Sequence, residues 1–272
     1  MPITTVGANR DIVTPTVLPE AAPTTEVPAA VRSTAEEKIQ GGIDDYSVMI
    51  GTVERERKLP SGVISGLVKA NLSRLDDSRL NEVLEKQVVP GSKREPDPSF
   101  MEKIRGTAVY PDHTVGIESD PKGDKRYGLG QVQIRQAAAA ETEGFEVNSR
   151  VRTHYGAIKK DLLDPERNLN ALGDTLVENI KHYSAEPHGR SEKEILAFAL
   201  AKTMSNQERG EEIGTAQNAA AREAVRPGSK ASELGLSPDE ARYNWEITAE
   251  QLRKTNPRLV EAVESILLEL DK

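Results

Sequence analysis

The sequence predicts a mostly α protein: a helical domain with an irregular loop insertion, an extended N-terminal tail and a C-terminal helix. Three observations predict it. Apolar residues recur at steps of three and four in several windows. Those windows are bounded by capping residues and by Pro or Gly breakers. Two other stretches hold too many prolines and glycines for any long helix. The resulting division is an extended tail over residues 1–40, a helical domain over 41–226 with an insertion at about 73–115, and a C-terminal helical segment over 227–272.

Each element follows from local chemistry. Pro2, Pro15, Pro19, Pro23 and Pro28 remove backbone donors and exclude a long helix, so the tail reads as extended. Val48, Met49, Thr52, Val53 and Arg57 outline a first helix, ended by Leu59-Pro60-Ser61-Gly62. Ser61 is the expected cap of a second helix through Leu72, with Val63, Ile64, Leu67, Val68 and Leu72 at helical spacing. A third helix is expected over 76–88, with Leu80, Val83, Leu84 and Gln87 on one face, then a charged loop, PGSKREPDP, and one short helix over 99–105. Gly106, Pro111, Gly116, Pro121 and Gly123 make 106–127 a long loop with room for a short strand or hairpin.

Helices resume from Gly130 through the alanine run at 137–140, and again near 149–162. The clearest helix spans 165–183. Asp164 caps it, Pro165 takes the first position, Glu166 suits the positive end, and Leu169, Leu172, Leu176, Ile180 and Tyr183 form its apolar face. Ser191 with Glu194 forms a capping box for the next helix, whose run Ile195 to Ala201 is wide enough to be buried on most sides. Pro227-Gly228 breaks the chain. A last amphipathic helix over 248–270 carries Leu252, Leu259, Val263, Ile266, Leu267 and Leu270. No internal repeat is present.

Composition narrows the function classes. The 272 residues include 36 Lys or Arg and 44 Asp or Glu, a net charge of −8, which disfavours phosphate tracking and nucleic-acid specificity. The absence of cysteine excludes disulfides, thiol catalysis and Cys-ligated zinc. Aromatic residues are 4% and apolar residues 36%, which predicts one modest core plus segments that do not pack on it. No apolar run approaches the roughly 18 residues of a membrane span. The opening MPITTVGANRDIVTP lacks a basic start followed by an apolar stretch, so no Sec leader is expected.

Candidate chemistry rests on carboxylates, hydroxyls and four histidines. His113, His154, His182 and His188 lie at no metal-ligand spacing, so neither a metal nor a cofactor is expected. Gly123, Gly128 and Gly130 lack the Lys-Ser/Thr pair that a phosphate loop needs. The unusual segment is GIESDPKGDKRYGLGQVQI, residues 116–134. Gly128 and Gly130 let backbone approach a ligand, Gln131 offers donor and acceptor, and Tyr127 can stack on a sugar face. That mixture suits an oligosaccharide cleft. A plain Gly-rich loop entering a helix is the alternative.

These residues resemble the goose-type lysozyme and soluble lytic transglycosylase superfamily, in a phage-like variant. Members carry a catalytic Glu-Ser, a Ser-Pro-x-Gly-like turn, and Gly-Leu-Met-Gln or Gly-Leu-Gly-Gln. Here stand Glu118-Ser119, Asp120-Pro121-Lys122-Gly123 and Gly128-Leu129-Gly130-Gln131. Asp164-Pro165-Glu166-Arg167-Asn168-Leu169 is similar to the family's Asp-Pro-Glu-x-Asn-Ile helix start, with Gly173 and Leu176 also fitting. Leu59-Pro60 and GVISGLVKA resemble its opening helix pair. The resemblance covers about residues 45–210. Two departures stand out. The family's Glu ends the opening helix, which here falls near Asn71, leaving Glu118 immediately before the turn and Glu102 as a spare. The family's Ala-Tyr-Asn-Ala-Gly motif is replaced by ALAKTMSNQERG, with Asn206 nearby in sequence.

The resemblance implies a lysozyme-like fold and a peptidoglycan lytic transglycosylase. Such an enzyme cleaves the β-1,4 bond between N-acetylmuramic acid and N-acetylglucosamine with a single Glu. It implies Glu118 as the acid/base. Ser119, Tyr127, Gly128, Leu129, Gln131 and Asn168 are the implied glycan-binding residues. Asp120 and Asp124 are exposed turn residues by sequence, available as a second carboxylate in a hydrolytic version. The implied partners are peptidoglycan strands, with assembly partners through residues 1–40 and 248–270. The implied setting is a virion, or another route from the cytoplasm to the cell wall without a Sec signal, aiding genome entry. The opposing expectation is a catalytically degenerate lysozyme-like structural or ejection protein of a virion or secretion assembly. A helical adaptor with no lysozyme relation is a third.

Overall fold

In the computed structural model the described residues are 29–86, 120, 124–141, 146–185, 190–205 and 207–272. They are mostly helical, as the periodicity predicts. In chain order they form α1 (Ala29–Asp45), α2 (Ser47–Glu56), α3 (Val63–Leu72), α4 (Asp77–Lys86), β1 (Arg126–Tyr127), β2 (Val132–Gln133), α5 (Ile134–Glu141) and α6 (Glu146–Leu162). Then follow α7 (Pro165–Ser184), α8 (Glu192–Met204), α9 (Gln207–Ala224), α10 (Lys230–Glu233), α11 (Pro238–Tyr243), α12 (Trp245–Thr255) and α13 (Pro257–Leu270). The two strands pair antiparallel, Arg126 with Gln133 and Tyr127 with Val132. No helix among the described residues is long and apolar enough to cross a membrane.

The helix α8 is the hub. Ala197, Phe198, Ala199, Leu200 and Ala201 are all fully enclosed, because α3, α7, α9, α12 and α13 pack around it. Its capping box forms as the sequence predicts, with the Ser191 side chain accepting from the Glu194 N–H. The neighbouring α7 also starts as predicted, on the Asp164 cap with Pro165 at its first turn. One face of α7 rests on α2. A Cβ at Gly173 would come within 2.7 Å of Val53 and Arg57 side-chain atoms, so only glycine permits that approach. Arg57 reaches over it to Asp174 in a bidentate pair, at 2.8 and 3.0 Å.

Several expectations are corrected. Residues 29–40 belong to α1 rather than to an extended tail, and Ile39 and Ile43 of that helix are buried in the core. The prolines that signalled extension lie at or before Pro28, and residues 1–28 are outside the described set. Ser61 does not cap α3. Gly62, at φ 93°, precedes it, and the buried Glu54 carboxylate accepts from the Gly62 and Ile64 N–H groups at 3.0 and 2.9 Å. The expected single helix over 248–270 is two helices. Asn256 ends α12, Pro257 opens α13, and the Asn256 side chain accepts from the Leu259 N–H at 3.2 Å. Finally, residues 132–133 form a strand, so α5 starts at Ile134 rather than near Gly130. The helix α9 packs on α10, α11 and α12 through Ala220, Ala231, Ala241 and Ile247.

The C-terminal segment is part of the core. Leu252, Leu259, Val260, Val263 and Ile266 belong to the same buried cluster as Ile39, Leu67 and Leu169. The expectation of segments that do not pack on the core fails for these residues. Four of the described aromatics, Tyr183, Phe198, Tyr243 and Trp245, gather at one place around Arg190 and α8. Phe198 meets Tyr183 and Trp245 at 5.3 and 5.2 Å between ring centroids, and the Arg190 guanidinium lies 4.1 Å from the Tyr243 ring centroid. The predicted helix over 99–105 lies outside the described residues, as does Val88 at the expected end of α4.

Glu54→Ala leaves the buried Ile64 N–H and the half-buried Gly62 N–H without their acceptor and is expected to lower unfolding free energy by about 2 kcal/mol. Glu54→Gln keeps one acceptor oxygen and is expected to lose less. Urea unfolding of the two variants checks the order.

Candidate functional site

The Gly-Leu-Gly-Gln segment forms the tip of the β1–β2 hairpin. Its turn closes with the Gln131 N–H donating to the Gly128 carbonyl at 3.1 Å. Gly128 sits at φ 68° and Gln131 at φ 50°, both in the left-handed region. A Cβ at Gly128 would collide with the Leu162 carbonyl oxygen and the Asn168 side chain. Glycine is therefore required there twice, by dihedral and by space.

Asn168 holds this hairpin in place. It is fully buried in the first turn of α7. Its Oδ1 accepts from the Gly130 N–H at 2.6 Å, and its Nδ2 donates to the Tyr127 and Leu162 carbonyls at 2.9 and 3.0 Å. The sequence reading makes Asn168 a glycan-binding residue. It is instead an internal clamp, because its amide is enclosed and engaged with main chain. Leu129 is likewise fully buried in the core, and Gly128 is buried against α7, so neither presents a side chain to a ligand.

From the opposite side comes Asn71, in the last turn of α3. It is buried, and its Nδ2 donates to the Gly130 carbonyl at 2.9 Å. Gly130 is thus held at its N–H by Asn168 and at its carbonyl by Asn71. Gln131 turns its Nε2 back onto the Gly128 carbonyl at 2.7 Å and is only 6% exposed.

On the far flank, Tyr127 is half-buried. Its hydroxyl pairs with that of Tyr155 at 3.2 Å, and the Lys159 ammonium sits 5.5 Å from its ring centroid. Tyr155 is fully buried and donates to Asp120 at 2.8 Å. Asp120 also accepts from the Asp124 and Lys125 N–H groups at 2.8 and 3.0 Å. Asp120 is therefore not an exposed turn carboxylate. It is buried and hydrogen-bonded, anchoring the chain before the hairpin. Burial first, then the hydrogen bonds with Tyr127 and Asp120, push the Tyr155 phenol above its ordinary range.

Between Asn71 and Gln131 opens a cavity of about 270 Å³, lined also by Arg74, Leu75, Arg126, Met204, Ser205, Asn256 and Arg258. Four parts of the fold meet there: the end of α3, the hairpin, the end of α8 and the α12–α13 junction. Arg126 donates to the Gln131, Met204 and Ser205 carbonyls at 2.8, 3.1 and 2.9 Å. Arg74 donates to the same Met204 carbonyl at 3.1 Å. Burial, and then the neighbouring Arg74 charge, lower the Arg126 guanidinium to about 10. Sequence reasoning missed these arginines. Nothing in their spacing distinguishes them from solvated helix and loop charges.

Glu118, Ser119, Glu102 and Asn206 lie outside the described residues, as do His113 and His188. Among the described residues no group of three or more His, Asp or Glu is placed to hold a metal ion. No protein-family model, curated protein or solved structure matches the chain.

Gly128→Ala forces a Cβ into backbone at a left-handed φ and is expected to cost on the order of 3 kcal/mol or more. Asn168→Ala strips three hydrogen bonds from buried main chain and is expected to cost a similar amount. Chemical denaturation measures both. In alkaline titration followed by phenolate absorbance, Tyr155 is expected to stay protonated above pH 10 until the chain unfolds. The unfolded chain releases that proton near 10, so this contribution to stability is full below pH 10 and is lost as pH rises beyond it. Tyr155→Phe should remove the late-ionising phenol.

Proposed function

We propose that the chain is a lysozyme-like, peptidoglycan-directed protein whose cleft lacks the general acid. It serves as a structural or ejection component of a virion or secretion assembly. The observation that carries this reading is Asn71. It stands at the end of α3, where the resembled family places its catalytic Glu, and it bonds the Gly-Leu-Gly-Gln hairpin. An amide has no proton to give a leaving glycosidic oxygen.

The surroundings support the same reading. A catalytic carboxylic acid must hold its proton near neutral pH, which burial and negative neighbours favour. Arg74, Arg126 and Arg258 line the cavity beside Asn71. Positive neighbours draw the proton off a carboxyl, the opposite of what an acid catalyst needs. The net charge of −8 suits delivery by an assembly better than a diffusive search of an anionic wall.

A second reading, the lytic transglycosylase, is favoured by Asp120. Glu118 lies two residues before this buried carboxylate, which Tyr155 ties to the Tyr127 flank of the hairpin. In that reading Glu118 protonates the leaving oxygen, then accepts the proton of the sugar's own 6-hydroxyl, leaving a 1,6-anhydro end. Ser119, Tyr127 and Gln131 orient the sugars.

Purified peptidoglycan incubated with the full chain separates the two. The expected result is co-sedimentation with the wall and no 1,6-anhydro muropeptides by mass spectrometry. Anhydro products that disappear in Glu118→Gln would replace the first reading with the second. Failure to sediment would remove both. Asn71→Glu alone is expected to create no activity, since the arginines keep the new carboxyl ionised.

A further inference from the structure

The exposed charges of the described residues are sorted onto separate helices. The outer face of α1 is acidic. Glu36, Glu37, Asp44 and Asp45 are all exposed, and none has an ion-pair partner among the described residues. Lys38, the one base within 36–45, is turned to Asn81 of α4 at 3.0 Å. Glu37, Gly41 and Asp44 follow steps of four and three, so they share one line of the helix. That line lies on the side away from the buried Ile39 and Ile43. Beyond it, in the first turn of α2, stands Val48, the most exposed large apolar side chain among the described residues.

The helix α6 carries the reverse sign. Residues 147–160 include Arg150, Arg152, Lys159 and Lys160 and no acid, in a chain whose net charge is −8. Arg152 and Lys160 are exposed and Lys159 is half-buried, and none of the three has an ion-pair partner among the described residues. Two carboxylates that follow are already engaged, Asp161 with Arg167 and Asp164 as the cap of α7. Arg152, Gly156 and Lys159 repeat the steps of four and three, and the exposed Leu163 follows four residues on.

The two lines therefore match in interval and oppose in charge. Laid side by side in parallel, they set Glu37 on Arg152, Gly41 on Gly156, Asp44 on Lys159 and Val48 on Leu163. The paired glycines let two backbones approach. A Cβ at Gly41 would meet nothing within 4 Å, so α1 is open at that point. Within one chain the faces do not meet. The helix α1 packs on α2 and α3, while α6 packs on α5 and α7, and both lines stay exposed.

We propose that the acidic α1 face of one copy docks on the basic α6 face of a second copy of this chain. The two faces differ, so the contact is heterologous. Each bound copy keeps one face of each sign for the next, which builds a ring or a filament. Exposed ion pairs contribute little singly, so the association is weak, steered by charge and sensitive to salt. The inference goes beyond the peptidoglycan reading and does not depend on it.

Sedimentation velocity of the full chain over a concentration series tests it. The wild-type chain is expected to self-associate at low salt and to dissociate at roughly 0.5 M, where screening is short-ranged. Glu37→Lys with Asp44→Lys makes both faces basic, and Arg152→Glu with Lys160→Glu makes both acidic. Each double variant alone is expected to weaken self-association about tenfold or more. An equal mixture of the two restores opposite faces and is expected to associate again, which a misfolded variant would not do. Association that persists in both variants, or a mixture that stays monomeric, overturns the proposal. So does a wild-type chain that is monomeric throughout. If that chain then binds phosphatidylglycerol vesicles through Arg152 and Lys160, the basic face belongs to an anionic surface instead.

Discussion

The hydrogen bonds of Asn168 set the geometry on which the rest of the site depends. One fully buried amide joins the start of α7, the end of α6 and both sides of the hairpin tip. A hairpin of two-residue strands has little stability of its own. Its position comes from this clamp and from Leu129, which is sealed in the core. Placing the hairpin places Gly130 against Asn71, and turns Gln131 and Arg126 toward α3 and α8. The same requirement explains the composition of the tip. Side chains at Gly128 would displace the amide that holds the loop, so the glycine serves the clamp, rather than a ligand approaching the backbone.

The cavity depends equally on the far end of the chain. Its walls come from α3, the hairpin and α8, and its rim from Asn256 and Arg258. These two residues reach it because the chain turns at Asn256-Pro257 and lays α13 against both α3 and α8. A continuous helix through 248–270 would carry its apolar residues along one line. The break lets Trp245 meet Phe198 of α8, while Ile266 packs against Gly66 of α3. The C-terminal residues that resemble an assembly handle in sequence are therefore mostly occupied within their own core.

Where the sequence carries a complete local code, the fold is legible. The helices α7 and α8 have a cap, an acidic first turn and an apolar face, and both stand where those signals put them. The helix α3 is legible in extent but not in its cap. Glu54 reaches it from α2, and a cap supplied across a turn leaves no mark at the helix start. The split at Pro257 was present in the sequence as Asn-Pro, a cap followed by a first-turn proline, and was masked by apolar spacing that continues through it. In the site, the Gly-Leu-Gly-Gln motif marks the right hairpin but misassigns roles. Polar residues near a loop can face a ligand or satisfy buried main chain, and only packing shows that the amides of Asn168 and Gln131 both do the latter. The arginines of the cavity are brought together by tertiary contacts alone, from positions 74, 126 and 258.

The environment and the residue at position 71 form one consistent choice. Gly130 turns its carbonyl toward the end of α3, and that oxygen needs a donor. An ionised carboxylate at position 71 would set acceptor against acceptor there. A protonated one could donate, but Arg74 and Arg126 next to the cavity would favour its ionised form. Asparagine meets the carbonyl with an N–H at any pH and adds no charge.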